Sequence, residues 1–86
     1  MFTAKEAAAL MAESVERKKT PEVNRMLNTI QHAANDGEEC AVHSTDAAFP
    51  IICAAMAILR ENGYTVTVDR RPGSDIYDVK IAWRHI

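Results

Sequence analysis

The chain of 86 residues has few of the residues that mark specialised classes of protein: three Gly, three Pro, two Cys and one Trp. Two Cys are too few for a disulfide framework, and so little Gly and Pro argues against a disordered or collagen-like chain. We also find no signal peptide and no apolar run of membrane-spanning length. These absences predict an intracellular protein, or one assembled inside a cell, with free thiols.

The charge balance likewise lacks an excess of one sign. The formal net charge is −2, with 48% apolar and 26% charged residues, which is ordinary for a globular protein. General nucleic-acid binding depends on a basic footprint, and the overall charge supplies none. The length predicts one domain, residues 1–86, with N-terminal helices over 3–36 and a β-α-β-β module over 38–84.

Helix signals dominate the first half of the chain. The segment Thr3–Glu6 matches a capping box, and Thr20-Pro21 matches an N-cap followed by Pro at the first helical position. We therefore expect two helices, the second ending at Gly37, with one long helix kinked at Pro21 as the alternative. Apolar residues keep helical spacing in both. They are Ala7, Leu10, Met11 and Val15 in the first, and Val23, Met26, Leu27, Ile30, Ala33 and Ala34 in the second.

The second half predicts a strand, a helix and a hairpin. Glu38 to Ser44 alternates as a half-buried strand would, with Cys40 and Val42 inward, and a helix follows that starts at Asp46 or a residue or two later and ends at Gly63. Possible N-caps are Ser44, Thr45 and Asp46. A strand, helix and strand in succession predict a βαβ unit with parallel strands. The expected fold is α+β, in the order α-α-β-α-β-β, with a three-stranded mixed sheet and helices packed on one face.

The helix has a bulky and a small face. Its bulky residues, which we expect to pack on the sheet, are Ile51, Ile52, Met56, Ile58 and Leu59. Cys53, Ala54 and Ala57 form the small face, which we expect the N-terminal helices, or another subunit, to cover.

The hairpin is predicted from its turn. Arg71-Pro72-Gly73-Ser74 suits a type II turn, although that turn splays a two-residue loop and allows a wider tip. Pairing Arg71 with Ser74 sets the register of the strands. It gives Arg70/Asp75, Asp69/Ile76, Val68/Tyr77, Thr67/Asp78, Val66/Val79, Thr65/Lys80 and Tyr64/Ile81. Tyr64, Tyr77 and Trp83 then face the core.

The chain offers weak candidates for chemistry. Cys40 and His43 point to opposite faces of a strand, so with Cys53 they do not make a convincing metal site. His43, Ser44 and Asp46 are triad residue types, but sequence adjacency supplies no triad geometry. We expect a buried thiol at Cys40 and a surface imidazole at His43. The sequence thus predicts no catalytic, metal or cofactor site.

Two surfaces are candidates for protein binding, the open face of the sheet and the small face of the helix. The open face carries Thr65, Thr67, Asp78, Lys80, Ala82 and Arg84, joined by Ala41 and His43 if the first strand is included. The hairpin tip carries Arg70 and Arg71. The basic tip makes nucleic-acid binding the alternative function. It is disfavoured because acidic residues lie among the basic ones and because the aromatic residues face the core. Unpaired sheet edges offer a further route to a protein partner.

Four short segments spread along the chain form a pattern. They are Thr3-Ala4-Lys5-Glu6-Ala7, the helix end at 30–37, the segment 58–66 and the closing Lys80-Ile81-Ala82-Trp83. The pattern resembles a group of small, largely uncharacterised proteins of tailed bacteriophages, which share a TAKEA opening, helix ends in AA..GE and L..LGY.V, and a closing ISW. Ala82 stands where Ser is usual. The resemblance implies a phage origin and an α+β fold, and it implies no catalytic residues.

These observations together predict a non-enzymatic phage protein that acts through protein–protein contact. It would be a virion or assembly component, or a binder of a host protein, located in the host cytoplasm or the virion. The expected partner is a second copy or a host protein. We expect no membrane, small-molecule or cofactor partner, and nucleic acid remains the alternative.

Overall fold

The computed structural model describes residues 3–83. The elements in chain order are α1 (Ala4–Asn35), β1 (Cys40–Thr45), α2 (Phe49–Glu61), β2 (Thr65–Arg70) and β3 (Tyr77–Ala82). The strands form one sheet in the order β1-β3-β2, and both helices contribute to a core on one face of it. The predicted α+β class, with helices packed on the sheet, is confirmed.

The N-terminal segment is a single helix, so the prediction of two helices is wrong and the single helix of the alternative is confirmed. Pro21 lies inside α1, where it removes one backbone hydrogen bond, to the carbonyl of Arg17. Both residues are exposed, and water can hydrate that carbonyl. Beyond Pro21 the helix is held by core packing of Val23, Met26 and Ile30.

The predicted start of α1 and the predicted C-terminal ends of both helices are confirmed. Thr3 caps α1, its Oγ1 accepting a hydrogen bond from the Glu6 amide at 3.2 Å. After α2, the amides of Gly63 and Tyr64 donate to the carbonyls of Arg60 and Leu59, which is the Schellman arrangement. Gly63 has φ of 92°, a backbone conformation that other residues rarely adopt. The same hydrogen-bond pattern ends α1 at Gly37.

The start of α2 differs from the prediction. The N-cap is Ala48, which has no side-chain capping hydrogen bond, and Pro50 lies in the first turn. Of the three residues considered as caps, Thr45 accepts from the Ala47 amide at 3.1 Å and so shapes the preceding loop. The first helical residue is therefore Phe49, just after the predicted range of Asp46 to Ala48. Pro50 lies in the first turn as expected, because its fixed φ suits the start of a helix.

The sheet is antiparallel throughout, and the predicted mixed sheet is wrong in this respect. β3 pairs antiparallel with both β1 and β2. β1 and β2 do run parallel to each other, but they are not neighbours. β3 occupies the centre, where Val79 and Ile81 are fully buried, because the strand with the most buried apolar residues gains most from a neighbour on each side.

The hairpin has the predicted turn and a shifted register. Ser74 donates to the Arg71 carbonyl at 3.2 Å, and Gly73 has φ of 71°, as a type II turn requires. The ladder closes on Arg71 and Ile76, whose amide and carbonyl meet at 2.9 Å, so the loop is wider than two residues. The pairs are displaced by two positions, for example Val66 with Ile81. Because side chains alternate, this shift leaves every side chain on its predicted face.

Strand β1 has its faces the other way round from the prediction. Ala41 and His43 lie opposite Ile81 and Val79, on the side of the helices, and Cys40 and Val42 lie on the open face. Cys40 is exposed and His43 is mostly buried, so both expectations for these residues are reversed. The physical reason is an acidic partner for His43 on α1, described below.

The core contains the bulky face of α2, as predicted. It is formed by Val23, Met26, Ile30, Ile52, Ala55, Met56, Leu59, Val66, Val79 and Ile81. The small face of α2 is not covered by the N-terminal helix, since Cys53 and Ala57 are exposed. α1 instead packs beside α2 and reaches across to β1, because its buried residues lie on the side that meets both.

Candidate functional site

The predicted sheet surface exists as one face. Thr65, Thr67, Asp78 and Lys80 lie on the side of the sheet away from the helices. Cys40, Val42 and Ser44 of β1 join them in place of Ala41 and His43. Arg84 lies outside the described residues.

Arg71 and Asp78 on this face hold each other. The Arg71 guanidinium donates from Nε and Nη2 to the two oxygens of Asp78, both at 3.1 Å. Ser44 Oγ donates to Asp78 at 2.7 Å and accepts from Arg71 at 3.1 Å. This two-pronged ion pair therefore connects β1, β3 and the hairpin loop, and it also offsets the repulsion between Asp78 and the directly opposed Asp69.

The Ser44 hydroxyl, and then the Arg71 guanidinium, lower the pKa of Asp78 below its ordinary value of 3.8. A lowered folded-state pKa stabilises the fold above the unfolded-state pKa of about 4, and that stabilisation is lost as pH falls below this value through the lower folded-state pKa. We expect Asp78→Asn to lower stability at pH 7 and to reduce the loss between pH 7 and pH 3. Urea unfolding at the two pH values measures both. Asp75→Asn is the control, because the Asp75 side chain is 98% exposed, and a matching pH effect in that variant would contradict the assignment.

The hairpin tip is less free than its sequence suggests. Arg70 donates from Nε to the Ser74 carbonyl at 3.0 Å and lies 3.5 Å from Asp75, and Arg71 is bound to Asp78. The aromatic residues Tyr64, Tyr77 and Trp83 pack against the core, as predicted. The hairpin tip thus carries tethered arginines, and along residues 3–83 the open face has no aromatic platform for bases.

A buried polar cluster joins α1 to β1. Glu22 is 1% exposed, and its Oε1 lies 3.0 Å from His43 Nε2 while its Oε2 accepts from Arg25 at 3.0 Å. His43 Nδ1 lies 3.3 Å from the Thr29 hydroxyl, which also donates to the Arg25 carbonyl at 3.2 Å. A carboxylate in this position requires such partners, because an unpaired buried charge is strongly destabilising.

The cluster is arranged for structure more than for chemistry. Both oxygens of Glu22 and both ring nitrogens of His43 already have partners within the chain. Ser44 points to the other face of the sheet, so His43 and Ser44 do not converge as a nucleophile and base would. Cys40 and His43 also lie on opposite faces, and residues 3–83 contain no group of three or more His, Cys, Asp or Glu placed to hold a metal ion.

The first half of α1 is the most unusual surface. Residues 3–13 are all exposed, and the first buried residue of the helix is Glu22. Leu10 and Met11 are 51% and 55% exposed. At about 100° per residue they belong to a stripe on one side of the helix, called the α1 stripe below. The α1 stripe consists of Ala4, Ala7, Ala8, Leu10, Met11, Ser14 and Val15.

The dimensions show that this half of α1 extends beyond the body of the protein. α1 has 32 residues and is therefore about 48 Å long, close to the longest molecular extent of 54 Å. The radius of gyration is 14.6 Å, against about 12 Å expected for a compact chain of this length. The extra size is accounted for by a helical segment that the body does not cover.

Fold and surfaces together define a small α+β protein with an uncovered amphipathic helix. Comparisons with protein-family models, curated proteins and solved structures found no match. Within residues 3–83 there is no helix with both the length and the apolar character needed to cross a membrane.

Sequence reasoning missed two parts of this picture. The α1 stripe was recognised as apolar helical spacing, but whether other residues cover it depends on the tertiary structure. The sequence does contain a signal for the polar cluster, because Glu22 and Thr29 lie on the same side of the helix as the buried Met26. An acidic residue there calls for a partner from another element.

Proposed function

We propose that this protein acts through protein–protein contact, without catalysis, and that the α1 stripe is the surface it uses. The observation that carries the proposal is the exposure of Leu10 and Met11 on a helix that leaves the body of the protein. A helical segment of this length draws most of its stability from packing of its apolar side. An apolar helix side that is exposed to water therefore indicates a binding surface for another chain.

The setting we propose follows from the resemblance to small proteins of tailed bacteriophages. The protein would be a virion or assembly component, or would bind a host protein, and would work in the host cytoplasm or in the virion. The open sheet face, with Thr65, Thr67 and Lys80 exposed, is a second and flatter surface for the same kind of partner.

The test compares what tagged forms of the protein retain from the cells that make it. The stripe variant Leu10→Glu/Met11→Glu places charges in the α1 stripe. The matched control Ala9→Glu/Ala12→Glu places the same charges on the opposite, exposed side of the same helix. A tip variant, Arg70→Glu, removes positive charge from the hairpin tip and leaves the pair of Arg71 and Asp78 intact.

We expect the stripe variant to retain at least tenfold less partner protein than the wild type does. The control and the tip variant should retain as much as the wild type. Binding is then repeated with the purified partner, so that retention reflects direct contact. Equal retention by the stripe variant would contradict the assigned surface. Nucleic acid retained by the wild type and lost in the tip variant would contradict the proposed function and support the alternative.

A further inference from the structure

We propose that the α1 stripe binds a second copy of this chain, with residues 4–18 of the two copies packed antiparallel about a two-fold axis beside Met11. This inference rests on the proposed function and names the partner. A two-fold interface uses the same patch on both copies, and it is the commonest form of self-association.

Charge complementarity is the first argument. Glu6 and Arg17 are eleven residues apart, so they lie within about 20° of each other around the helix, on the same flank of the α1 stripe. In an antiparallel pair, like flanks of the two helices face each other. With the two-fold axis beside Met11, Arg17 of one copy lies level with position 5 of the other. Position 5 is about 1.5 Å from Glu6 along the helix axis. Two symmetric ion pairs result.

Arg17 is available for this pairing. Its Nη2 donates to Ser14 Oγ at 3.3 Å, and within residues 3–83 no carboxylate lies within ion-pairing distance of it. The nearby Glu16 is instead paired with Lys19 at 2.7 Å. A parallel pair would set Arg17 level with the partner's basic end of this segment, and so the charges favour the antiparallel arrangement.

The position of the body is the second argument. α1 becomes buried at Glu22, eleven residues from Met11, so each body begins about 16 Å from the proposed axis. An antiparallel pair places the two bodies at opposite ends, where they do not collide. A parallel pair would place both at the same end of the paired segments.

The small side chains of the α1 stripe set the strength of the contact. Ala4, Ala7 and Ala8 permit close approach of two helices, and Leu10 and Met11 supply the buried area at the centre. Two helical segments of about 22 Å bury less than the roughly 1,600 Å² of a standard interface. We therefore expect a dimer that dissociates on dilution, with a Kd on the order of micromolar.

The first experiment is solution mass by light scattering over a range of protein concentrations. The wild type is expected to rise from the 9.5 kDa monomer towards twice that mass. The stripe variant Leu10→Glu/Met11→Glu should remain monomeric at concentrations at least tenfold above the wild-type midpoint, and Ala9→Glu/Ala12→Glu should behave as wild type. Circular dichroism confirms that each variant is folded. A wild-type monomer at all concentrations, or a dimer unaffected in the stripe variant, would overturn the proposal.

The second experiment tests the orientation by disulfide cross-linking. Cys40 and Cys53 are exposed and are first replaced by Ser. In that background Met11→Cys is expected to cross-link to itself, and a mixture of Ala4→Cys and Lys18→Cys to cross-link to each other. Ala4→Cys alone should not. Efficient cross-linking of Ala4→Cys to itself would indicate a parallel pair and overturn the proposed geometry.

The third experiment is a charge exchange. Glu6→Arg and Arg17→Glu should each raise the dissociation constant severalfold, because like charges then face each other. The double variant should recover the wild-type value. Failure of the double variant to recover would overturn the ion pairs.

The failure of this inference is distinguishable from failure of the proposed function. The purified protein could be monomeric while the wild type retains a different protein from cells and the stripe variant does not. That result would exclude the second copy as partner and would leave protein contact through the α1 stripe in place. If the stripe variant changes neither, both fail.

Discussion

Replacement of His43 by Ala is expected to lower the free energy of unfolding by about 3 kcal/mol, because it leaves a buried carboxylate without one of its partners. Glu22 is 1% exposed and lies 3.0 Å from the His43 ring. Arg25 continues to pair with the other oxygen, which places the expected loss towards the lower end of the range for broken buried pairs.

A double-mutant cycle measures the pairing directly. Glu22→Met and His43→Leu should each be destabilising, whereas the double variant should lose about 2 kcal/mol less than the sum of the two, since it removes both buried partners together. Urea unfolding at pH 7 and low protein concentration supplies the four free energies. Additive losses would show that Glu22 and His43 contribute independently and that the cluster does not couple α1 to β1.

The second large effect is expected in the core. Ile52 is fully buried on α2 among residues of α1 and the sheet, so Ile52→Ala should lower the free energy of unfolding by about 3–4 kcal/mol through lost burial and a residual cavity. Ile52→Val should lower the free energy of unfolding by about 1 kcal/mol. This smaller change can still be measured if the Ala variant does not fold.

Cys53 is the matched control for this prediction, since it follows Ile52 on the same helix and is exposed. Cys53→Ser should change stability by less than about 0.5 kcal/mol. A loss at Cys53 comparable to that at Ile52 would mean that the outer face of α2 is covered in solution, as the sequence led us to expect.

Local signals allowed several parts of the fold to be predicted. The cap at Thr3, the stop at Gly63 and the turn at Gly73 each depend on a few neighbouring residues and their backbone conformation. Alternation of side chains placed the hairpin residues on their correct faces even though the register was displaced by two positions, because the faces repeat with that period.

Features that depend on distant residues were not predicted. The central position of β3 follows from competition among strands for two neighbours, which no single segment encodes. The faces of β1 follow from the pairing of His43 with Glu22, far apart in the chain. Continuation of α1 through Pro21 follows from the packing of the residues beyond it, which outweighs the lost hydrogen bond.

The candidate site illustrates the same division. The polar residues of the open face were placed together by the strand pattern, but the sequence did not reveal that Arg71 is held by Asp78 and Ser44. Apolar spacing identified Leu10 and Met11 as one side of a helix. Only the structure shows that this side is exposed, because the body begins too late along α1 to cover it.

The most direct test of contact through the α1 stripe is site-specific photo-cross-linking in the cells that make the protein. A photoreactive residue at position 10, within the α1 stripe, is compared with one at position 9, which lies opposite the middle of the α1 stripe on the helix. We predict a discrete, protease-sensitive protein adduct from position 10 and little from position 9. Equal adducts from both positions, or a nuclease-sensitive adduct from position 10, would contradict the account.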